Sequence, residues 1–401
     1  MTIELEPFPL PETADSKSLK DFGRVVRGLD PANLTEQEFK EVENLLYQYD
    51  ALLFKDVKLS PEAQYALTKA FDPLSESYGH GNNAIKDDKR SILHPDLKTI
   101  PRVPQVQLIG NGTVYNYEGL AEAKLKHPHH NTFHKTVISA EDEAKGFTRF
   151  YRWHIDAALY NHSPPKVTTL YAINIPQGPK QVVKYDDGTE DKLVVPLGTT
   201  VCNPAVTTGR NTFDILPPNL KSLAVRSRVR YSPHPYVWMS SAKALPTGLG
   251  IVSEDLELPL DKLPPWEESK VKVLPMVWKN PVTGRLHLQV HPCAAGEIFI
   301  DPLPAGKDRE GALYPNGAHL KDLREVREIL YQIQRPGIAP SLIYPHNWNE
   351  RDLIIFHNRG ILHSVVGAFK DSDGVRALHQ CNLAASDDPL GPTEEDLESY
   401  A

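Results

Sequence analysis

The sequence predicts a mixed, mainly β fold, namely an antiparallel, double-sheet jelly roll core with flanking α-helices. Short apolar and β-branched segments recur along most of the chain with the length and spacing of strands. Helical patterns are few and lie apart from these segments, as expected for helices that cover one end of a double sheet. This pattern does not by itself separate a jelly roll from other β-sandwiches.

The first predicted elements are two helices and a strand. Residues 1–34 are rich in proline and charge, and we expect an N-terminal lead-in there. Thr35 is a predicted N-cap, because Glu38 stands at the reciprocal position of a capping box, and the helix extends to about residue 49. A short strand at 51–54 precedes a second helix, in which Pro61 takes the first position.

The rest of the chain is predicted to contain several strands, one further helix and a tail. A stripe of apolar residues at helical spacing covers 319–335 and stops before Pro336. Residues 386–401 are acidic, and we predict a disordered tail. The strand-like segments are 106–109, 167–175, 193–195 and 200–202.

Charge and composition narrow the class of protein. The chain has 401 residues and a net charge of −8, which argues against a general nucleic-acid binder. Three cysteines are too few for a disulfide framework and fit a reducing compartment. No apolar run approaches the length of about 18 residues that would span a membrane, and no signal peptide is recognisable. We expect a cytoplasmic enzyme with no membrane or nucleic-acid partner; the oligomeric state is not predicted.

An imidazole and a carboxylate, His154 and Asp156, are separated by a single apolar residue. In an extended strand, side chains two residues apart leave the same face, so these two would converge on one point. They form two-thirds of a 2-His-1-carboxylate triad, which suits non-haem Fe(II) because three coordination positions stay open for ligands such as O₂. His363, after a predicted buried strand and turn, is the candidate third ligand.

Arg376 follows His363 in another strand-like segment. Its planar guanidinium offers a fork of donors that matches a carboxylate, such as the distal carboxylate of 2-oxoglutarate. Because the three metal ligands come from distant parts of the chain and must meet, we predict a single domain over 35–385 with long insertions.

These residues, in this order, resemble the TauD-type family of Fe(II)/2-oxoglutarate-dependent dioxygenases: His-x-Asp, a distant His followed by Ser, and a later Arg. The resemblance implies a double-stranded β-helix core, Fe(II) at the triad, and consumption of O₂ and 2-oxoglutarate with release of succinate and CO₂. It also implies that Thr200 assists Arg376 in holding the C5 carboxylate of 2-oxoglutarate.

The substrate prediction comes from Gln380 and Asn382. Taurine-type members of the family carry a second arginine four residues after the first, where this chain has Gln380, and a neutral amide cannot neutralise a sulfonate. Gln380 and Asn382 would share one strand face, and paired amides suit the N–H and C=O edge of a purine. Residues 147–160 and this amide pair resemble fungal xanthine-hydroxylating members of the family, which implies xanthine, oxidised at C8 to urate, as the substrate.

The same resemblance implies four further substrate-binding residues, Gln105, Lys126, Glu141 and Asp142. Glu141 and Asp142 are explained equally well as the first turn of a helix or as surface charges.

Four histidines, His127, His129, His130 and His134, stand close together in the sequence. A second metal site is one interpretation of them. We favour a polar loop beside the active-site mouth, because Pro128 interrupts any helix and the glutamate of a zinc-protease signature is missing.

Two other functions remain open at this stage. A related dioxygenase acting on a sulfonate, an aryloxyalkanoate or another carboxylate would have a basic residue facing the open metal position. A non-catalytic scaffold with the same fold would have no need of the three metal ligands together with Arg376.

Overall fold

The computed structural model describes residues 3–77, 98–204, 212–253 and 255–401. The α-helices are α1 (Ser16–Leu19), α2 (Glu36–Tyr49), α3 (Pro61–Ala70), α4 (His130–Phe133), α5 (Ala140–Ala144), α6 (Pro218–Val225), α7 (Pro235–Trp238), α8 (Leu323–Gln334) and α9 (Glu394–Tyr400). The strands are β1 (Glu4–Pro7), β2 (Arg24–Arg27), β3 (Ala51–Phe54), β4 (Lys98–Ile100), β5 (Val103–Tyr117), β6 (Leu120–Leu125), β7 (Phe147–Thr148), β8 (Val167–Asn174), β9 (Gln181–Lys184), β10 (Lys192–Val195), β11 (Thr200–Pro204), β12 (Ser227–Tyr231), β13 (Val273–Pro275), β14 (Val277–Lys279), β15 (Leu286–Leu288), β16 (Ala295–Ile300), β17 (Ala318–Leu320), β18 (Tyr344–His346), β19 (Leu353–His357), β20 (Ile361–Val365) and β21 (Arg376–Asn382).

One large sheet forms the base of the molecule, with strand order β1-β2-β3-β19-β8-β21-β5-β4 and β6 paired to β5. Neighbouring strands are antiparallel except β2 and β3, which run parallel. Within residues 1–34, β1 and β2 are part of this sheet, so the N-terminal segment is more than a lead-in. The mixed, mainly β character predicted from the sequence is confirmed.

Smaller sheets cover the inner face of the large sheet. The nearest has the order β18-β11-β20, and a four-stranded sheet has the order β13-β12-β16-β17. Apolar side chains of the large sheet, including Leu170 and Phe356, pack with Tyr344 of the small sheet. The helices α2 and α3 cover the opposite face, where Leu46 and Leu67 pack on strands β8 and β19. The space between the two layers is therefore lined mostly by apolar residues, and polar residues in it stand out.

The predicted helix start at Thr35 is confirmed, since its hydroxyl accepts from the Glu38 N–H and the Glu38 carboxylate accepts from the Thr35 N–H. The helix predicted at 319–335 begins later, at Leu323, because residues 318–320 pair with β16 and Asp322 caps the helix.

The prediction of disorder at 386–401 was wrong for its last part. Thr393 and Asp396 form a capping box at the start of α9, and the Asp396 carboxylate pairs with Lys279 at 2.7 Å. The Tyr400 ring packs edge-on against Phe213, with 5.1 Å between ring centroids. These contacts with distant residues cannot be read from the local composition, which is only acidic.

None of the helices in the described parts of the chain has both the length and the apolar character needed to cross a bilayer.

Candidate active site

Strand pairing brings His154 and His363 together from distant parts of the chain. The N–H of each residue donates to the carbonyl of the other at 3.0 Å, so the two form an antiparallel bridge. His363 lies in β20, and its ring centroid is 4.2 Å from that of His154. The backbone of β20 therefore positions both imidazoles.

The His-x-Asp segment is not the regular strand that we predicted. Only His154 makes a strand-like bridge, and Asp156 is held instead by the side chain of Asn358. The Asn358 amide accepts from the Asp156 N–H at 2.9 Å and donates to the Asp156 carbonyl at 2.8 Å, as a neighbouring strand would. The alternation of faces survives, because Trp153 and Ile155 are fully buried in the core on the other side.

Three ligand atoms converge as a consequence. The Asp156 Oδ1 atom lies 3.6 Å from His363 Nε2 and 4.0 Å from His154 Nε2. One ligand atom from each of the three residues falls within 4.8 Å of the others. The structure thus brings together all three predicted iron ligands.

Neighbouring groups orient two of these ligands. His154 Nδ1 donates to the Arg152 carbonyl at 2.8 Å, which leaves the Nε2 lone pair directed at the cluster. Asp156 Oδ2 accepts from the Thr168 hydroxyl at 2.8 Å and from the Gln380 amide at 3.1 Å, so Oδ1 remains for a metal.

The electrostatics of the cluster favour an ionised Asp156 carboxylate and a neutral His154 imidazole. Burial alone would raise the pKa of Asp156, but the imidazoles of His363 and His154 and the Thr168 hydroxyl together lower it below its ordinary value. Burial, assisted by the neighbouring His363, lowers the pKa of His154 to about 4. These are the protonation states in which both groups bind metals.

Arg376 is a buried cation, only 2% exposed. Its Nε donates to the Gly198 carbonyl at 2.8 Å, and burial lowers its pKa to about 10. No carboxylate within the described residues pairs with it. A buried charge without a counter-ion is costly, so this site suits an anionic ligand.

Thr200 lies two residues beyond Gly198. Gly198 packs closely against Arg376, since a Cβ added to Gly198 would lie 3.0 Å from the arginine Cδ. The Thr200 hydroxyl accepts from the Trp348 indole at 3.2 Å and so keeps its own proton for donation. Arg376 therefore contacts the chain two residues before Thr200, and the shared role of the two residues stays a prediction.

Amide side chains from two strands share the inner face of the large sheet. Gln380 lies opposite Gln107 of β5, and Asn382 lies opposite Thr168 of β8. Gln107 is 3% exposed and Asn382 is 7% exposed, yet within the described residues neither amide has a hydrogen-bond partner. These amides are therefore available to donate to and accept from a ligand on this face.

The other predicted substrate residues are less close to this face. Gln105 precedes Val106, the last residue of β5 that pairs with β21. Its amide donates to the Ser77 hydroxyl at 3.3 Å. Lys126 is exposed at the end of β6. Glu141, in α5, pairs with Lys145 at 2.6 Å, and Asp142 pairs with Lys184 at 3.2 Å. In the described residues neither carboxylate contacts the triad, so their first-turn and surface-charge interpretation fits this geometry better.

The family assignment follows from comparison with known proteins. The profile of the "Taurine catabolism dioxygenase TauD, TfdA family" matches residues 13–382. The chain belongs to this family.

Similar proteins include three fungal members with the same description, alpha-ketoglutarate-dependent xanthine dioxygenase. The protein of Neurospora crassa is 52% identical, over 98% of this chain and 90% of that protein. The protein of Schizosaccharomyces pombe is 49% identical, over 98% and 91%, and that of Emericella nidulans is 50% identical, over 94% and 96%.

Solved structures share the fold at low sequence identity. A taurine dioxygenase from Burkholderia xenovorans is 16% identical with a TM-score of 0.53, covering 98% of this chain and 94% of that one. The structure of AAD-2 in complex with Mn(II) and N-oxalylglycine is 16% identical with a TM-score of 0.53, covering 97% and 100%.

Several residues of this TauD-family site were missed by the sequence analysis. Thr168 and Asn358 hold Asp156, and Gln107 faces Gln380 across the sheet. The ring of His291, 6.3 Å from that of His154, is buried with both nitrogens unpartnered in the described structure. Gln107 carried a usable signal, since it stands two residues from Gln105 on a predicted strand; the others depend on tertiary contacts.

Proposed function

We propose that this protein is an Fe(II)- and 2-oxoglutarate-dependent dioxygenase that hydroxylates xanthine at C8 to urate, with succinate and CO₂ as co-products. The observation that carries the proposal is a 2-His-1-carboxylate group together with a buried arginine on β21, the strand that contacts Asp156 through Gln380, in a chain about 50% identical to xanthine dioxygenases over nearly its full length.

Fe(II) fits the donor set of His154, Asp156 and His363, which offers two imidazoles and one ionised carboxylate on one side of an ion. When bound, Fe(II) supplies the activation of O₂ that is coupled to oxidative decarboxylation of 2-oxoglutarate. The chain contributes orientation: Arg152 fixes the tautomer of His154, and Thr168 with Gln380 fixes the rotation of the Asp156 carboxylate.

Arg376 and Thr200 would hold the cosubstrate. The guanidinium would pair with the C5 carboxylate of 2-oxoglutarate in a buried site, where such a charge-assisted contact is strong. Thr200, whose oxygen already accepts from Trp348, would donate its hydroxyl proton to the same carboxylate.

The amide face of Gln107, Gln380 and Asn382 would bind the purine. Amides both donate and accept, which matches the alternating N–H and C=O groups of xanthine, and the face adjoins Asp156 through the Gln380 bond. Gln105, next along β5, would extend this face. Roles for Lys126, Glu141 and Asp142 rest on the family resemblance alone.

The proposal also covers the core fold and the cellular compartment. We infer that the large sheet and the sheets packed on it form a double-stranded β-helix, with 35–385 as the catalytic domain and 1–34 and 386–401 as its extensions. Three free cysteines fit a reducing compartment such as the cytoplasm.

The decisive assay supplies the purified protein with Fe(II), 2-oxoglutarate, ascorbate and O₂, together with either xanthine or taurine. We expect urate and succinate in equal amounts with xanthine and no sulfite with taurine. Sulfite without urate would replace the purine substrate by a sulfonate. Formation of neither product, with iron and 2-oxoglutarate bound, would overturn the proposed substrate.

A further inference from the structure

A second group of metal-binding side chains lies outside the candidate iron site. It consists of His129, His130 and Glu143, named here the His129–Glu143 cluster. Glu143 Oε1 is 3.0 Å from His129 Nε2, and Glu143 Oε2 is 3.3 Å from His130 Nε2. One ligand atom from each residue lies within 4.8 Å of the other two. The glutamate that the local sequence around the histidines lacks is supplied by α5.

His130 is the informative member of the cluster. Its side chain is 3% exposed, and within the described residues neither ring nitrogen has a hydrogen-bond partner. Although Nε2 lies close to Glu143, the contact does not have hydrogen-bond geometry. A buried polar group without a partner costs free energy, so this ring is poorly explained as a structural ion pair.

A shared cation explains the distance between His130 and Glu143 and the missing bond. Two ligand atoms that are each about 2.0–2.2 Å from a tetrahedral zinc ion lie about 3.3–3.6 Å from each other. The 3.3 Å distance between His130 Nε2 and Glu143 Oε2 matches this separation, whereas the 3.0 Å distance from His129 Nε2 to Glu143 Oε1 is that of a hydrogen bond. The two imidazole rings stand side by side, with 4.2 Å between centroids, so both nitrogens reach the same side of Glu143.

Two hydrogen bonds of His129 compete with a metal ion, and one charge lies nearby. His129 Nε2 is hydrogen-bonded to Glu143 Oε1 at 3.0 Å, and a bound ion would replace this bond. His129 Nδ1 accepts from the Asn131 N–H at 3.2 Å, so zinc at Nε2 requires the other tautomer and the loss of this long bond. The nearby Arg149 guanidinium is balanced by Asp186 at 2.7 Å. Glu143 itself carries the negative charge that offsets part of the ion's charge.

We propose that the His129–Glu143 cluster binds a zinc ion that joins α4 to α5. Two imidazoles and a carboxylate form a zinc donor set, and nitrogen and oxygen sites bind Zn²⁺ more tightly than Fe²⁺. His129 and Glu143 are about one-third exposed, which gives the ion access from solvent. The ion has a structural role and is independent of the proposed dioxygenase activity.

The ion would stiffen one wall of the candidate active site. Phe133, at the end of α4, packs edge-on against Tyr151 with 4.8 Å between centroids, and the Tyr151 ring is 6.1 Å from that of His154. Tying α4 to α5 therefore fixes a segment that packs directly behind the first iron ligand.

The test separates the two metal sites by mutation. In a His154→Ala/Asp156→Ala background, which lacks two candidate iron ligands, zinc affinity is measured by competition with a chromophoric chelator. We expect one zinc per chain, and binding about 100-fold weaker after either His130→Asn or Glu143→Gln is added. Glu141→Gln, an exposed carboxylate on the same helix, is the matched control and should leave zinc affinity unchanged.

Melting temperature provides an independent readout, because a ligand that binds only the folded state raises it. Zinc should raise the melting temperature of the background protein and of its Glu141→Gln derivative but not of the Glu143→Gln derivative. No zinc bound by a background protein with a cooperative melt, or zinc retained after His130→Asn, would overturn the proposal. Should the background protein not fold, titration of the intact chain decides the same question: two zinc ions support the cluster, and one ion unaffected by Glu143→Gln contradicts it.

Discussion

Two groups of two imidazoles and one carboxylate lie in the described parts of the chain, and they differ in what surrounds them. In the triad, His154 is fixed by the Arg152 carbonyl, and Asp156 receives hydrogen bonds from Thr168 and Gln380. Each group also contains a histidine without an orienting partner among the described residues: His363 at Nδ1 in the triad, and His130 at both ring nitrogens in the His129–Glu143 cluster. Identical donor sets therefore do not imply identical roles. The two hydrogen bonds that orient the Asp156 carboxylate suit the triad to the proposed reaction, whereas the His129–Glu143 cluster suits the proposed structural ion.

The largest effect should come from a triad ligand. Asp156→Ala removes the carboxylate and leaves two imidazoles, so iron affinity and urate formation should fall by more than the roughly 10–100-fold caused by losing an orienting group. Iron content and urate production measure this directly. Glu328→Gln, on the exposed side of α8, is the control. Retention of iron and turnover in Asp156→Ala would remove the distinction between the two groups.

The second-largest effect is expected from Arg376→Lys. Lysine keeps the charge but lacks the planar fork of donors, so the KM for 2-oxoglutarate should rise about 10- to 100-fold. Initial rates at varied 2-oxoglutarate and saturating xanthine give this value. An unchanged KM would show that the buried cation serves another anion.

Alanine variants of Gln380 and Asn382 should distinguish purine binding from the orientation of the Asp156 carboxylate. Either alanine variant should lower kcat/KM for xanthine on the order of 10- to 100-fold, because a partner of the purine is lost. Only Gln380→Ala should also weaken iron binding, by roughly 10-fold, since only Gln380 donates to Asp156. Parallel iron titrations of the two variants make the comparison. Equal iron affinities would show that the Gln380–Asp156 bond does not orient the ligand.

A smaller effect is expected from Thr200→Val. The hydroxyl supplies one hydrogen bond beside the stronger arginine contact, so the KM for 2-oxoglutarate should rise less than about 10-fold. A rise larger than that of Arg376→Lys would reverse the ranking of the two residues.

Buried histidines outside both groups predict an acid-induced loss of stability. Burial lowers the pKa of His134, His287 and His379 to about 4 each. Between that value and their ordinary pKa of 6.5, the unfolded chain binds more protons, so the free energy of unfolding decreases as the pH falls. Burial also raises the pKa of Asp50 to about 6, which opposes the effect with a single group.

Thermal unfolding between pH 7 and pH 5 tests this balance. The melting temperature should fall with pH across that interval. His379→Asn should reduce the slope by removing one of the three groups, and a melting temperature that rises on acidification would show that Asp50 dominates.

The sequence predicted the parts of the site that depend on local pattern. His154 and Asp156 face one side because alternation places them there, and Gln380 and Asn382 share a face for the same reason. Thr35, with its reciprocal Glu38, marked the start of α2. In each case the information lies within a few residues.

The remaining features depend on contacts between distant segments. Asn358 substitutes for a neighbouring strand beside Asp156, and Glu143 reaches His129 and His130 from another helix. Local composition also made residues 394–400 look disordered, although Lys279 and Phe213 hold that helix in place. Residue spacing and helix or strand propensity along the sequence do not identify such distant partners.

The bridge between His154 and His363 has a consequence for how the chain tolerates changes of length. Side chains on a strand alternate, so inserting or deleting one residue between Asn358 and His363 would turn the imidazole of His363 to the opposite face. The loops between strands in the long connection from His154 to His363 are under no such restriction, because each doubling of a flexible loop costs only about 0.6 kcal/mol. Length variation among relatives should therefore concentrate in the intervening segments and be absent from the short turn before His363.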